Sequence, residues 1–198
     1  VPWYTTPGSV TRLSVNELVM DREFGPSRAF FGDVTVGSLV THYRRKQLFS
    51  DTTIDRVPLD LPETYLETEA VWFQLSQRLA DVAVGRGLDL QGSIHAIEHA
   101  AIGIMPLFAM CDRNDLGGVS HPAHPDTDGL PAVFIYDGHP GGVGLARAAY
   151  ETIEELLDAT LRAIQDCPCD EGCPSCVQSP KCGNNNEPLD KPGALFIL

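Results

Sequence analysis

Cys167-Pro-Cys169-Asp-Glu-Gly-Cys173-Pro-Ser-Cys176 is the stretch on which the fold of this chain turns. A Cys-x-Cys and a Cys-x-x-Cys lie three residues apart, and two such pairs can converge on one Zn²⁺, which takes four thiolates in a tetrahedron at about 2.3 Å. Gly172 offers the turn that folds one pair onto the other, while Pro168 and Pro174 stop a helix from running through the ligands. Five of the six cysteines fall between Cys167 and Cys182. A secreted disulfide scaffold spreads its cysteines over the fold it staples, so the clustering favours structural zinc in a reducing cytoplasm over disulfides or free thiols. The expected ligands are Cys167, Cys169, Cys173 and Cys176, with Cys182 as the alternative to Cys167. Cys111, alone at a helix end, reads as a buried small hydrophobe.

Upstream of the cysteines, Leu145, Ala149, Ile153, Leu156, Leu157, Leu161 and Ile164 form the apolar stripe of a long helix whose C-terminal end opens into the cluster. A Gly-rich turn and a buried strand, Leu130 to Asp137, precede it. The segment from Asp112 to Asp128 has no periodicity and reads as a loop. A helix is expected after Ser93 as N-cap, with Ile94, Ile97, Ala101, Met105 and Phe108 facing the core and Pro106 disturbing its last turn. Trp72, Leu75, Leu79 and Val82 follow spacings of three and four, which predicts another helix ended by Gly85-Arg-Gly. Between Val10 and Pro58, short alternating pieces punctuated by Gly25-Pro26, Gly32 and Gly37 predict an antiparallel sheet. Pro188 to Leu198 reads as a short closing helix or the beginning of one. The expectation is therefore an α+β fold: a β-rich subdomain over residues 1–60 and a helical zinc-binding domain with a central strand over 61–198, with the Cys₄ module at 167–198.

With 198 residues and 43% apolar content the chain can bury a substantial core. It has no apolar run long enough to span a membrane and no signal-peptide pattern, which predicts a cytoplasmic protein with no membrane partner. The absence of Met at position 1 suggests a piece of a longer polypeptide. With 27 acidic and 14 basic residues the net charge is −13, which repels phosphate backbones at long range and argues against an autonomous nucleic-acid binder of high affinity. The densest positive strip is Arg44-Arg45-Lys46 after Tyr43, able to grip a single strand with Tyr43 stacked on a base, or equally to protect a solvated strand edge.

The run from Cys167 through Cys-Val-Gln-Ser-Pro-Lys-Cys182-Gly-Asn to Leu-Asp-Lys191 resembles the C-terminal zinc-binding domain of MrfA-type helicases, and is similar to that of the SftH and Hrq types. Asp115-Leu-Gly-Gly118 and Tyr136-Asp-Gly-His-Pro-Gly-Gly-Val-Gly144 match the same pattern, so the resemblance covers about residues 90–198. It implies an ATP-dependent, 3′-to-5′ superfamily 2 DNA helicase acting in DNA repair, nucleoid-associated if bacterial. In such a protein this module follows the motor domains, braces them and helps guide single-stranded DNA, with the cysteines at 167, 169, 173 and 176 holding zinc. No Gly-x-x-x-x-Gly-Lys-[Ser/Thr] phosphate loop occurs in the chain, so ATP and Mg²⁺ would belong to motor domains elsewhere and this piece is expected not to be an enzyme.

Rival features remain. His95-Ala-Ile-Glu98-His99 fits the His-x-x-Glu-His pattern of a zinc hydrolase, with Glu98 as general base and a third ligand from Glu151, Glu154 or Glu155; the plainer account is a core helix with two polar positions on its outer side. A zinc-braced protein-interaction module whose acidic surface docks a basic partner is a further alternative. Gly138-His-Pro-Gly141-Gly142-Val-Gly144 could hold a phosphate at a helix N-terminus, or simply make a tight turn. His121, His124 and Asp126 could bind a second metal, although a polar loop explains them as well.

Overall fold

The computed structural model describes residues 2–25, 27–50 and 52–198. Strands β1 (Trp3–Phe24) and β2 (Ser27–Gln47) form a long antiparallel hairpin, followed by β3 (Thr53–Pro58), β4 (Thr64–Gln74), α1 (Gln77–Gly85) and α2 (Leu90–Ile104). Then come β5 (Leu116–His121), β6 (Ala132–Asp137), α3 (Leu145–Glu151), α4 (Ile153–Gln165) and α5 (Lys191–Ile197). The six strands make one sheet in the order β1-β2-β4-β6-β5, with β3 also paired to β2, and every pairing is antiparallel. The α+β class and its N-terminal antiparallel sheet are as the sequence predicts. The boundary expected at residue 60 falls between β3 and β4, two strands of the same sheet.

Trp72 lies on a strand, not on the expected helix. The spacing of Trp72, Leu75, Leu79 and Val82 straddled the junction of β4 with α1, where a period of two gives way to one of 3.6. Paired with β2 on one side and β6 on the other, β4 sends alternate side chains to opposite faces. Val71 and Phe73 join Phe31, Val133 and Ile135 under the helices, where Ile94, Ile97, Met105, Leu156 and Ile164 meet them. Ala70 and Trp72 face the other way with Phe30 and Phe134. There Trp72 is stacked between Phe30 and Phe134, with ring centroids 5.5 and 5.4 Å away.

This second face is closed by the segment after β5. His124 is buried, its Nε2–H donates to the Leu13 carbonyl at 3.1 Å, and its Nδ1 accepts from the Asp126 amide. Asp126 in turn accepts the Val15 amide at 2.9 Å. The supposed loop from Asp112 to Asp128 thus contains β5, whose two glycines hid the strand pattern, and its histidine and aspartate serve as ties to β1. With both ring nitrogens of His124 engaged, the suggested second metal site at His121, His124 and Asp126 has no lone pair left on His124.

The long helix is likewise divided: Thr152, at φ −117° and ψ 26°, breaks it into α3 and α4. The glycine turn before α3 is capped from within. Asp137 accepts the amides of Val143 and Ala146 at 2.6 Å each and that of Leu145 at 3.2 Å. These are the N–H groups a phosphate would need, and a buried carboxylate already fills their place. Among the described residues no helix is long and apolar enough to cross a membrane.

Substituting Asp137→Ala should strand three amides at a buried helix start and lower stability by about 3 kcal/mol, since hydrogen bonds to a charged group contribute roughly 1.5–3 kcal/mol each and do not add fully. Urea unfolding followed by circular dichroism should show a lower midpoint at an unchanged slope.

Candidate metal centres and nucleic-acid face

The chain leaves α4 at Asp166 and turns at once through the cysteines. Gly172 sits at φ +112°, where a β-carbon would run into Val177, the fully buried side chain that pins the turn to the core. The four sulfur atoms all lie within 4.8 Å of one another. Their separations are 3.5 Å for Cys167–Cys173, 3.6 Å for Cys167–Cys169, 3.5 Å for Cys169–Cys176 and 3.9 Å for Cys173–Cys176. Four thiolates at about 2.3 Å from a tetrahedral Zn²⁺ stand about 3.8 Å apart, so the donor set fits that ion. Burial pushes the Cys176 thiol up to about 12, whereas a hydrogen bond from the Ser175 amide holds Cys173 down at about 7.

Lys191, which the sequence marks only as the end of the resembling run, completes the arrangement. It is buried, and its Nζ donates to the Cys167 carbonyl at 2.8 Å and the Cys169 carbonyl at 2.5 Å, with the Cys169 sulfur 3.5 Å away. Four thiolates around Zn²⁺ carry a net charge of −2, and an ammonium at this distance offsets part of it. The signal was a lysine heading an apolar helix, a place where lysine is rarely buried without a partner. Asp190, just before it, caps α5 through the Gly193 amide and accepts the Asp89 amide at the start of α2.

Cys182 stands apart from the four. It lies with His95 and His99 in a second group whose donor atoms are all within 4.8 Å of one another. Helix α2 starts at Leu90, so Ser93 is inside it, donating back to the Asp89 carbonyl rather than capping the start. Its polar residues do not face outward: His95, Glu98 and His99 are 6, 7 and 8% exposed, covered by β5 and by the segment after the cysteines. Gly118 in β5 makes room for Glu98, since a β-carbon there would collide with the carboxylate. Burial drives the Glu98 carboxyl above its ordinary range. The third ligand expected from Glu151, Glu154 or Glu155 is not supplied by them; all three are exposed, and Glu154 faces Arg22 at 3.8 Å. Cys111 is half-buried against the helical core.

The basic strip lies on β2 beside β3. Arg45 is engaged, forking onto Asp55 and lying over the Trp3 ring at 5.5 Å, and Lys46 donates to Asn185. Strand alternation sends Tyr43 and Arg45 to one face and Arg44 and Lys46 to the other. The register sets Arg44 opposite Arg56, a cation the sequence strip did not include, and Arg56 reaches the buried His42 at 3.0 Å.

The model of the MrfA Zn-binding domain matches residues 97–177, a range that contains all four clustered cysteines. An uncharacterized ATP-dependent helicase, YprA of Bacillus subtilis, is 34% identical over 89% of this chain and 23% of its own length. An uncharacterized protein of Methanocaldococcus jannaschii is 44% identical over 53% of this chain and 96% of its own. A crystal structure of the helicase MrfA bound to DNA superposes with a TM-score of 0.63 at 29% identity, covering 94% of this chain and 25% of that one. The chain therefore spans about a quarter of the length of the helicases it matches. A thiol cluster with the spacing of a tetrahedral zinc site, on a fold shared with these helicases, has one consistent account: the chain belongs to the MrfA Zn-binding domain family.

Proposed function

We propose that the chain is the non-catalytic, zinc-braced accessory domain of an ATP-dependent 3′-to-5′ superfamily 2 DNA helicase acting in DNA repair in the cytoplasm. The observation that carries this reading is the superposition of nearly the whole chain on part of a DNA-bound helicase, together with a sulfur cluster of tetrahedral dimensions. Zinc held by Cys167, Cys169, Cys173 and Cys176 ties the end of α4 to the start of α5. That junction has little apolar surface of its own, and the ion supplies the cross-link that packing does not.

In the parent protein, ATP and Mg²⁺ belong to the motor domains, which this domain braces. Residues up to 60 act as a β arm and 61–198 as the zinc-binding body, joined through one sheet. Single-stranded DNA runs along the arm's basic face, where Arg44, Lys46 and Arg56 meet phosphates, while Tyr43 and Arg45 lie on the opposite face beside Trp3. The net charge of −13 means that the motor domains contribute most of the attraction.

Two outcomes test this reading. Lys191→Met should weaken zinc binding by about 10- to 100-fold, the range usual for a lost outer partner, and Cys169→Ser should abolish binding at the cluster. A chelator competition read by absorbance measures both, and zinc affinity should fall as pH drops because each thiol must lose its proton. In fluorescence anisotropy at low salt, single-stranded DNA should bind this chain weakly, and Arg44→Glu with Arg56→Glu should remove what binding there is. Tight binding by the chain alone would overturn the assignment of most of the attraction to the motor domains, and insensitivity to that pair would overturn the assignment of the basic face.

A further inference from the structure

Helix α2 carries His95 and His99 one turn apart, so both rings emerge on one side, 4.3 Å between centroids and inclined at 60°. Each ring is held from behind by a carbonyl: His95 Nδ1 meets Pro188 O at 2.8 Å, and His99 Nδ1 meets Val177 O at 2.8 Å. A carbonyl has no proton to give, so each Nδ1 carries the hydrogen, and in the neutral ring each Nε2 presents a bare lone pair. Both nitrogens converge on Cys182, whose sulfur lies 3.5 Å from His95 Nε2 and accepts the Asn186 amide at 3.3 Å. A thiol has one proton, which serves one of two buried lone pairs.

We propose that His95, His99 and Cys182 form a second metal site, separate from the four-cysteine cluster, that takes a borderline divalent cation such as Zn²⁺. Two imidazoles and one thiolate select zinc or cobalt over magnesium or calcium, which prefer oxygen. Nitrogen at about 2.0–2.1 Å and sulfur at about 2.3 Å from a tetrahedral ion stand about 3.5 Å apart, as His95 Nε2 and Cys182 Sγ do. The backbone carbonyls behind both rings are the outer partners that fix a metal-binding histidine in its tautomer. Three protein ligands leave a fourth position. All three residues line a cavity of about 640 Å³ whose walls also include Glu98, Ser120, Tyr136 and Lys181, so that position is open to water or to an oxygen ligand from the cavity. The ion would join α2 to the segment after the cysteines, a junction that the first cluster does not make.

The site is tested on the 198-residue chain purified from zinc-supplemented medium, with bound metal measured by mass spectrometry. Wild type should hold two zinc ions per chain, Cys182→Ser one and Cys169→Ser one. In cobalt-loaded protein, Cys182→Ser should keep the strong thiolate-to-metal absorption of the four-sulfur site and lose only the weaker contribution of a one-sulfur site. If Cys182→Ser does not fold by circular dichroism, His95→Gln takes its place, and the wild-type stoichiometry decides independently of either. One metal per wild-type chain, or two retained in both Cys182→Ser and His95→Gln, would overturn the proposal. If Cys169→Ser alone kept both ions, the four-cysteine assignment would fall while the second site stood.

Discussion

The stretch between α4 and α5 contains neither helix nor strand, and Val177 is its one buried apolar side chain among the described residues. A segment of that kind cannot offset its lost chain entropy by hydrophobic burial, and it must be held by stronger, directional bonds. Its sulfur atoms, the Lys191 ammonium and the carbonyls of Val177 and Pro188 supply them. Everything that rests on this segment depends on that substitution of directional polar contacts for packing. The burial of three ionisable side chains on α2 is the plainest case, because the segment is their roof.

The same economy of partners recurs at three other polar side chains. Asp137 serves three amides at the start of α3, Asp190 serves the starts of both α2 and α5, and His124 holds β1 through Nε2 while its Nδ1 accepts the Asp126 amide of its own turn. The bonds from Asp190 to the start of α2 and from His124 to β1 join elements distant in sequence, so the sheet, the helices and the terminal segment are cross-linked by hydrogen bonds as well as by the aromatic stack around Trp72. Buried polar groups with complete partner sets specify a single arrangement, since any shift leaves at least one of them bare.

Charge is distributed against its average. The chain is strongly acidic, yet β2 and β3 set Arg44 and Arg56 opposite each other on one face, with Lys46 beside them. Like charges directly across a ladder are unfavourable in isolation. Arg45 avoids the conflict by turning to Asp55, whose carboxyl is drawn below its ordinary range by that hydrogen bond. A concentrated cationic face that costs pairing energy is what an anionic partner would compensate.

Local pattern was enough for the cysteine cluster, the presence of an N-terminal antiparallel sheet, β6 and the helical stripes of α2 and α4, because thiol spacing and hydrophobic period are properties of the chain itself. It failed where two periods met, as at Trp72, and where glycine left a strand without side chains, as in β5. Only the tertiary structure decided that Cys182 lies with His95 and His99 rather than in the place of Cys167, since the contact spans 87 residues. The same holds for Lys191 beneath the thiols and for Asp137 in place of a phosphate. A sequence states which groups can bind a proton or a metal, but which of them share a buried site is fixed only when distant segments close over one another and water is excluded.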